Sequence, residues 1–343
     1  MKKWISIGLA LVAALLLLLG PEKPKKQYFH NEGRIFGTYY NIRYEGSEDL
    51  HEQIKAQLQE VDFSLSMFNL ESTISKINRN ETEETDALFQ IMYKEAVLVS
   101  EESGGAFDIT IAPLVNAWGF GKSKRIVNEV SVLEDEKVKS QVDSIKAFVG
   151  YQKTALNAQY LTKSDPRITL DASAIAKGFA CDIVANFLKA QGCKNLLVDI
   201  GGEVVLQGVN DSGKAWRVGI SKPKLDASGL EKDLQEVIAS QSLCMATSGN
   251  YLQYYNVGNE RRSHTIDPRS GSPVSHSLLS ATIVAESCMR ADALATACMV
   301  LGEKDALEMI ERSLDAACYL IVADGDSLRI SQSSRWAEMT EEK

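Results

Sequence analysis

The chain has 343 residues, of which 45% are hydrophobic and 24% are charged, and its formal net charge is −9. This length allows one large domain or two ordinary ones with well-filled cores. The composition is typical of a globular protein. The acidic charge, with no Lys/Arg cluster interleaved with aromatic residues, argues against binding of nucleic acid.

The amino terminus is predicted to lie outside the fold. Met1–Lys3 is basic and Trp4–Leu19 is uncharged and apolar, which is the pattern of an export signal. The run is close to the roughly 20 apolar residues that a membrane-spanning helix needs. Neither a small-x-small cleavage site nor a cysteine follows it, so an uncleaved anchor is favoured over a cleaved signal, with the globular part exported. Residues 1–26 are therefore assigned to an anchor or signal segment and its spacer.

Hydrophobic periodicity predicts helices interspersed with strands along the rest of the chain. The absence of strict βαβ alternation favours an α+β fold over a doubly wound one. No linker divides the body, so one domain is predicted over residues 27–331, with a division into two lobes left open and a polar tail at 332–343. In chain order the predicted elements are a strand at Arg34–Tyr44, helices at Glu48–Leu65 and Thr85–Ser100, a surface segment at Lys122–Glu136, a helix at Ala174–Lys189, a strand at Asn195–Ile200, further strands between Glu203 and Ala285, helices at Cys288–Leu301 and Glu303–Leu314, and a final strand at Ala317–Val322.

The stretch ADALATACM, residues 291–299, places two polar residues in a helix that is otherwise small and apolar. Asp292 and Thr296 are four residues apart, so they share one helical face. A carboxylate and a hydroxyl one turn apart offer two adjacent oxygen ligands. An Asp satisfied by local hydrogen bonds inside a packed helix is the structural alternative.

Three other segments also contain polar residues with more than one interpretation. Asp108 follows a double glycine in GGAFDIT, and Asp171 precedes a predicted helix, where an N-cap is the commonest role for Asp. Lys177 lies among small apolar residues, where it more readily reaches an anion than it would on a solvated surface, the usual setting for Lys. His264 and Asp267 flank Ile266 ahead of a turn, although a lone His is more often structural.

Together these segments carry a resemblance that extends over nearly the whole chain after the apolar segment. The chain resembles the ApbE family of FAD:protein FMN transferases. The family motifs occur in the expected order as FGTYYNI (36–42), SMFNLESTISKIN (66–78), GGAFDIT (104–110), PLVNAWGFG (113–121), LDASAIAKGFACD (170–182), LLVDIGGEV (196–204), ATSGNY (246–251), HTIDPRSG (264–271) and ADALATA (291–297).

Two positions depart from the usual family pattern. Phe36 stands where Met is commoner, and Ser270 replaces the commoner Thr. Neither change removes a group that the chemistry needs, although Phe36 alters a predicted flavin contact.

The resemblance implies a fold, a metal site and a substrate site. The fold is a single T-fold-like domain of mixed sheet and helices. The metal is Mg²⁺, held by Asp292, Thr296 and the backbone carbonyl of Ala174, which agrees with the preference of Mg²⁺ for oxygen ligands and substrate phosphates. The implied FAD-binding residues are Phe36, Phe68, Ala106, Phe107, Asp108, Asp171, Lys177 and Ile266.

The implied reaction is magnesium-dependent transfer of the FMN moiety of FAD to a Ser or Thr hydroxyl of an acceptor protein, with release of AMP. His264 is the candidate general base because imidazole titrates near neutrality. Asp292 is the alternative, and the sequence does not separate the two. The expected acceptor is an exported or membrane electron-transfer subunit, reached from the extracytoplasmic (periplasmic) face of the inner membrane.

Two other functions remain open from the sequence. Water in place of the acceptor hydroxyl would give a magnesium-dependent FAD pyrophosphatase with the same site residues. A non-catalytic FAD-binding protein is a third alternative, although it would need neither base nor metal. A classical redox flavoenzyme is disfavoured because no G-x-G-x-x-G fingerprint opens a helix after a strand.

Overall fold

The computed structural model describes residues 26–120, 136–223, 234–250, 254–257, 260–263, 265–325 and 327–341. The predicted amino-terminal anchor, residues 122–135 of the predicted surface segment, and His264 lie outside these residues. Within the described ranges, no helix is long and apolar enough to cross a membrane.

Helices and strands alternate irregularly along the chain, and their bounds are as follows. The helices are α1 (His51–Leu65), α2 (Thr73–Asn78), α3 (Ala87–Glu102), α4 (Ala112–Ala117), α5 (Glu136–Lys146), α6 (Ala176–Ala190), α7 (Cys288–Leu301), α8 (Glu303–Arg312) and α9 (Trp336–Thr340). The strands are β1 (Gln27–Ile35), β2 (Thr38–Gly46), β3 (Thr154–Asn157), β4 (Tyr160–Lys163), β5 (Leu196–Ile200), β6 (Glu203–Gln207), β7 (Trp216–Ser221), β8 (Leu234–Ser240), β9 (Ser242–Gly249), β10 (Tyr254–Val257), β11 (Glu260–Ser263), β12 (Ile266–Asp267), β13 (Ser272–Pro273), β14 (Leu278–Ala285), β15 (Ala316–Asp324) and β16 (Ser327–Gln332).

Eight of these strands form one large sheet in the order β1-β2-β5-β6-β9-β14-β15-β16. Every pairing within it is antiparallel. The prediction of an α+β fold that combines sheet and helices is thus confirmed, and the large sheet is antiparallel throughout. The T-fold-like arrangement stays a prediction.

Alternate residues of the inner strands of the large sheet point to opposite faces. Each face is covered by its own hydrophobic core. In β15, Cys318, Leu320 and Val322 belong to the main core, which contains α1, α3, α6 and α7. Tyr319 and Ile321, between them in sequence, face a smaller core. The main core positions α6 and α7 against each other and against the middle of the sheet.

The first predicted strand, Arg34–Tyr44, is wrong as a single element. The structure has two antiparallel strands joined by a tight turn in which Phe36 has φ 52° and Gly37 has φ 74°. A bulky residue with positive φ is uncommon. The alternating aromatic and β-branched residues therefore masked the turn.

Two further differences concern element ends. The helix predicted from Ala174 begins at Ala176, which leaves Ala174 in the preceding turn. The predicted last strand is followed by β16 and α9. Trp336 in α9, within the segment predicted to be a polar tail, is buried and packs against Tyr319 with ring centroids 5.3 Å apart.

Candidate active site

A cavity of about 760 Å³ lies beside α6 and α7. This volume is in the range of small-molecule and cofactor sites. Segments that are far apart in sequence line it, and ten of the residues predicted from sequence are among them. Those ten are Phe68, Ala106, Phe107, Asp108, Asp171, Ala174, Lys177, Ile266, Asp292 and Thr296.

Helix α7 provides Asp292 and Thr296. Asp292 is only 2% exposed, and its Oδ2 accepts a hydrogen bond from the Gly178 backbone N–H at 3.0 Å. The Thr296 hydroxyl lies 3.4 Å from the hydroxyl of Ser248 in β9. The helix therefore presents both predicted oxygen ligands to the cavity from one rigid element.

The start of α7 is fixed by two side chains. Ser287 is the N-cap, and its hydroxyl accepts from the Arg290 N–H. The two carboxylate oxygens of Asp182, in α6, accept from the backbone N–H groups of Cys288 and Met289 at 3.0 and 2.8 Å. These contacts satisfy donors that a helix start leaves unpaired. Burial raises the pKa of Asp182 to about 6, and the hydrogen bonds from Met289 and Cys288 oppose that shift.

Gly178 allows α6 and α7 to approach each other closely. A Cβ atom at this position would lie 2.2 Å from the Cys288 carbonyl oxygen and 2.8 Å from the Asp292 Cβ. Both distances are well below contact, and the first involves backbone. The missing side chain thus brings the Gly178 N–H within hydrogen-bonding distance of Asp292.

Lys177, Glu203 and Asp292 form a partly buried charged cluster at the cavity wall. The Lys177 Nζ lies 2.5 Å from Glu203 Oε1 and 3.9 Å from Asp292 Oδ1. Burial by itself would lower the pKa of Lys177, but the attraction of Asp292 and Glu203 outweighs this and raises it above its usual value. The Lys177 side chain therefore remains a cation. Burial raises the pKa of Glu203 above its usual value, a shift that Lys177 opposes and Asp292 increases.

Asp171 does not act as the N-cap of α6, which was one of the interpretations of the sequence. The residue before the helix is Ile175. Asp171 Oδ1 instead accepts from the Ser173 N–H at 2.8 Å, and the Asp171 N–H donates to the Ile109 carbonyl at 2.6 Å. Burial raises the pKa of Asp171. These contacts shape the turn that contains Ala174 at the cavity wall.

Asp108 uses both carboxylate oxygens within the protein. Oδ1 accepts from the Thr110 N–H and hydroxyl at 2.8 and 2.6 Å, and Oδ2 accepts from the Tyr151 N–H at 2.7 Å. Burial raises its pKa, and these hydrogen bonds oppose the shift. Asp108 thereby joins two segments beside the cavity, and its contact with flavin stays a prediction.

The aromatic and apolar residues predicted to bind FAD lie in different environments. Phe68, at the cavity rim, is 76% exposed, whereas Ile266 is buried. Phe36 packs against the main core and is not among the lining residues, so its flavin contact also stays a prediction. His264 lies outside the described residues. The next two residues, Thr265 and Ile266, line the cavity.

Sequence reasoning missed Glu203 and Ser248. Glu203 is an acidic residue at the start of the otherwise apolar strand EVVLQ, directly after a Gly-Gly turn, and that isolated charge is a signal that could have found it. Ser248 occurs in the quoted ATSGNY motif but carries no charge or spacing pattern that singles it out.

The arrangement suits an anionic ligand together with a hard cation. One carboxylate, one hydroxyl and a nearby turn offer oxygen ligands, and an ammonium group lies beside them. Among the residues that the structure describes, no group of three or more His, Cys, Asp or Glu side chains could hold a metal. A site built from Asp292, Thr296 and a backbone carbonyl contains only one residue of those types. The fold and cavity thus define an α+β protein with a cofactor-sized site that combines candidate oxygen ligands with a cationic side chain.

Comparison with known proteins identifies the family. The model of the ApbE family matches residues 36–320, so the chain belongs to the ApbE family. It is 36% identical over 358 residues to the FAD:protein FMN transferase of Haemophilus influenzae, with 100% of both chains covered. It is 35% identical over 343 residues to the FAD:protein FMN transferase of Vibrio cholerae, with 97% of this chain and 98% of the relative covered.

Solved structures agree with this assignment. The flavin transferase ApbE from Vibrio cholerae matches with a TM-score of 0.80 and 32% identity, over 92% of this chain and 100% of that one. The apo form of the flavinyl transferase ApbE from Pseudomonas stutzeri matches with a TM-score of 0.79 and 29% identity, over 94% and 99% of the two chains. The resemblance found in the sequence is confirmed.

Proposed function

We propose that this protein is an FAD:protein FMN transferase that moves the FMN moiety of FAD to a Ser or Thr hydroxyl of an acceptor protein and releases AMP. The observation that carries the proposal is near-complete coverage of relatives with that name by a chain whose cavity brings together Lys177, Asp292 and Thr296. In the reaction, the acceptor oxygen forms a bond to the FMN phosphorus. The bond from that phosphorus to the bridging oxygen breaks, and this oxygen leaves with AMP.

The residues at the cavity fit a magnesium ion. Asp292 and Thr296 lie one turn apart on α7, and Ala174 belongs to a turn in the same wall. These would hold Mg²⁺ through a carboxylate, a hydroxyl and a backbone carbonyl, all of which are hard oxygen ligands. Bound Mg²⁺ would neutralise charge on the pyrophosphate and act as a Lewis acid.

Lys177 binds and orients the substrate. Its ammonium group is held at the cavity wall, where its side chain is 29% exposed. There it can attract the pyrophosphate of FAD and stabilise the negative charge that develops on the departing AMP. Such fixed charges are effective because they need no reorganisation during the reaction.

Proton removal from the acceptor hydroxyl falls to His264. Its support comes from the sequence and from the position of Thr265 and Ile266 in the cavity wall. Imidazole accepts a proton near neutral pH without a large pKa shift. Asp292 is the alternative base, and the transfer rate of a His264→Asn variant distinguishes the two.

We also propose that the protein is anchored by its amino-terminal apolar segment and acts on the extracytoplasmic face of the membrane. The basic Met1–Lys3 followed by the apolar Trp4–Leu19 supports this location. An exported or membrane-bound electron-transfer subunit with an accessible Ser or Thr would be the acceptor in that compartment.

A mass measurement tests the proposed function. The enzyme is incubated with FAD and Mg²⁺, with and without a candidate acceptor protein, and with the same acceptor carrying Ala at its Ser or Thr. We expect the intact acceptor to gain the mass of FMN and an equal amount of AMP to appear, while the Ala acceptor stays unmodified. Free FMN formed as fast without acceptor would instead identify a pyrophosphatase, and intact FAD would identify a carrier.

A further inference from the structure

Glu203 is a buried carboxylate behind the cavity wall. It is 2% exposed, and its Oε2 finds no hydrogen-bond partner among the described residues. An unpaired buried oxygen of a carboxylate destabilises the fold. The other oxygen, Oε1, forms an ion pair with Lys177, whose Nζ lies 2.5 Å away.

The position of Glu203 is fixed from two sides. It is the first residue of β6, after a turn in which Gly201 and Gly202 have φ 71° and 104°. Its backbone carbonyl accepts a hydrogen bond from the Cys181 thiol at 3.2 Å. Lys177 and Cys181 are four residues apart and so share one face of α6. Both the main chain and the side chain of Glu203 are thus joined to that face.

Lys177 has two carboxylates within reach and contacts them unequally. Its Nζ is 2.5 Å from Glu203 Oε1 but 3.9 Å from Asp292 Oδ1, which is longer than a hydrogen bond. The other Asp292 oxygen, Oδ2, is occupied by the Gly178 N–H. Oδ1 is therefore the less engaged oxygen of Asp292 and the better candidate ligand for a cation, and the Lys177 ammonium lies close enough to compete for it.

We infer that Glu203 is a positioning residue that holds the Lys177 ammonium off Asp292, so that Asp292 Oδ1 stays available to a divalent cation. The inference rests on the proposed function, because it concerns the magnesium site assigned there. An ammonium group has three N–H donors, so Lys177 can keep its contact with Glu203 and direct another donor at a substrate phosphate. Without Glu203, Asp292 is the nearest partner for this charge.

The test compares Mg²⁺ binding by variants, measured by titration calorimetry without FAD. Glu203→Leu removes the carboxylate that holds Lys177, and we expect Mg²⁺ affinity to fall by about 10- to 100-fold, the range typical of changes to residues behind the metal ligands. Glu203→Gln should lose less Mg²⁺ affinity, because its amide oxygen can still accept a hydrogen bond from Lys177. The amide is neutral, however, and attracts the ammonium less strongly than the carboxylate does, so the Lys177 Nζ should move towards Asp292. Glu52→Gln is the matched control, since it removes a carboxylate from the surface pair that Glu52 forms with Lys55 at 2.7 Å. Its Mg²⁺ affinity should not change.

A double variant separates positioning from general damage. Lys177→Met combined with Glu203→Leu removes the competing ammonium, and it replaces a buried ion pair with apolar groups, an exchange that proteins often tolerate. We expect its Mg²⁺ affinity to return towards the wild-type value, although FMN transfer stays impaired. A crystal structure of metal-free Glu203→Gln should show the Lys177 Nζ closer to Asp292 Oδ1.

Unchanged Mg²⁺ affinity in Glu203→Leu, or a loss that Lys177→Met does not relieve, would overturn the inference. If Glu203→Leu does not fold, the Mg²⁺ affinity of Glu203→Gln and the position of the Lys177 Nζ in its crystal structure decide the role of Glu203. If the wild-type protein binds no Mg²⁺, the proposed metal site fails. The Lys177 position in Glu203→Gln then still decides the role of Glu203, with an unmoved Nζ counting against it.

Discussion

At the scale of single residues, Asp292 has a different environment at each carboxylate oxygen. Oδ2 accepts from the Gly178 N–H, and Oδ1 lies nearest to Lys177. The first contact is structural, while the second oxygen is the proposed metal ligand. A substitution that keeps one and weakens the other can separate these roles.

Asp292→Asn should abolish magnesium-dependent FMN transfer and leave the melting temperature close to that of the wild type. The amide oxygen can still accept from the Gly178 N–H, but the charge that attracts Mg²⁺ is gone. Asp292→Ala should lose activity and also some stability, because it leaves a buried N–H unpaired. Activity assays with added Mg²⁺ and thermal melts of both variants check this, and full activity in Asp292→Asn would contradict the metal assignment.

His264→Asn should lower the transfer rate by roughly 10²- to 10⁴-fold, the usual contribution of a positioned base. Affinity for FAD should change little, because the substitution keeps a polar side chain of similar size. Single-turnover rates at saturating FAD give the first quantity, and equilibrium titration gives the second. The control is His51→Asn, because His51 forms a hydrogen bond with Tyr40 and does not line the cavity. A His264 variant that transfers FMN at the normal rate would make Asp292 the better candidate base.

At the scale of elements, the approach of α6 to α7 determines the geometry of the site. Gly178→Ala would normally favour a helix by up to about 1 kcal/mol. Here the new Cβ would lie 2.2 Å from a backbone carbonyl oxygen, so the helices must separate. We expect a net loss of about 1–3 kcal/mol of stability, typical of overpacking, and reduced Mg²⁺ affinity.

Chemical denaturation and Mg²⁺ titration measure these two effects of Gly178→Ala. Gly219→Ala in β7 is a suitable control, because the atoms nearest to its Cβ would belong to the side chain of Leu234, which is 56% exposed and can move. Wild-type stability in Gly178→Ala would show that the helix pair tolerates the added methyl group.

Asp182, which joins α6 to the start of α7, should make the free energy of unfolding depend on pH. The pKa of Asp182 is raised from 3.8 to about 6 in the fold, so between these values the native state binds a proton that the unfolded chain has lost. The stabilisation is complete below pH 3.8 and is lost as the pH rises through about 6, by about 1.4 kcal/mol per pH unit. Denaturant unfolding of wild type and Asp182→Asn from pH 4 to 7 measures this. The stability of the wild type relative to the variant should fall across that window, and parallel pH profiles would contradict the shifted pKa.

At the scale of the whole molecule, the amino-terminal segment precedes every residue of the site. Strand β1 begins at Gln27, and the family match begins at residue 36. Deleting residues 1–26 should therefore give a soluble enzyme that still transfers FMN to a soluble acceptor. The full-length protein should fractionate with membranes and resist extraction by salt or high pH.

Fractionation, and mass spectrometry of the mature amino terminus, check this prediction. A mature terminus near residue 21 would identify a cleaved signal instead of an anchor. A truncated protein that folds but is inactive would show that the segment contributes to the site.

The family and the α+β class could be predicted from the amino-acid sequence alone, and ten of the residues predicted for the site line the cavity. The helix Cys288–Leu301 was predicted with the bounds that the structure has, because its small apolar residues and flanking caps are local signals. The motif residues could be assigned because they occur at recognisable positions in the chain. Local patterns did not reveal the turn at Phe36, because the alternating aromatic and β-branched residues around it resemble one continuous strand.

The contacts between these residues became visible in the three-dimensional structure. Glu203 and Lys177 are distant in sequence, and their contact arises because β6 packs beside α6. The structure likewise showed that Asp108 bonds the Tyr151 N–H and that Gly178 lies against α7. Such contacts depend on long-range packing, whereas periodicity and spacing report only the local conformation of the chain.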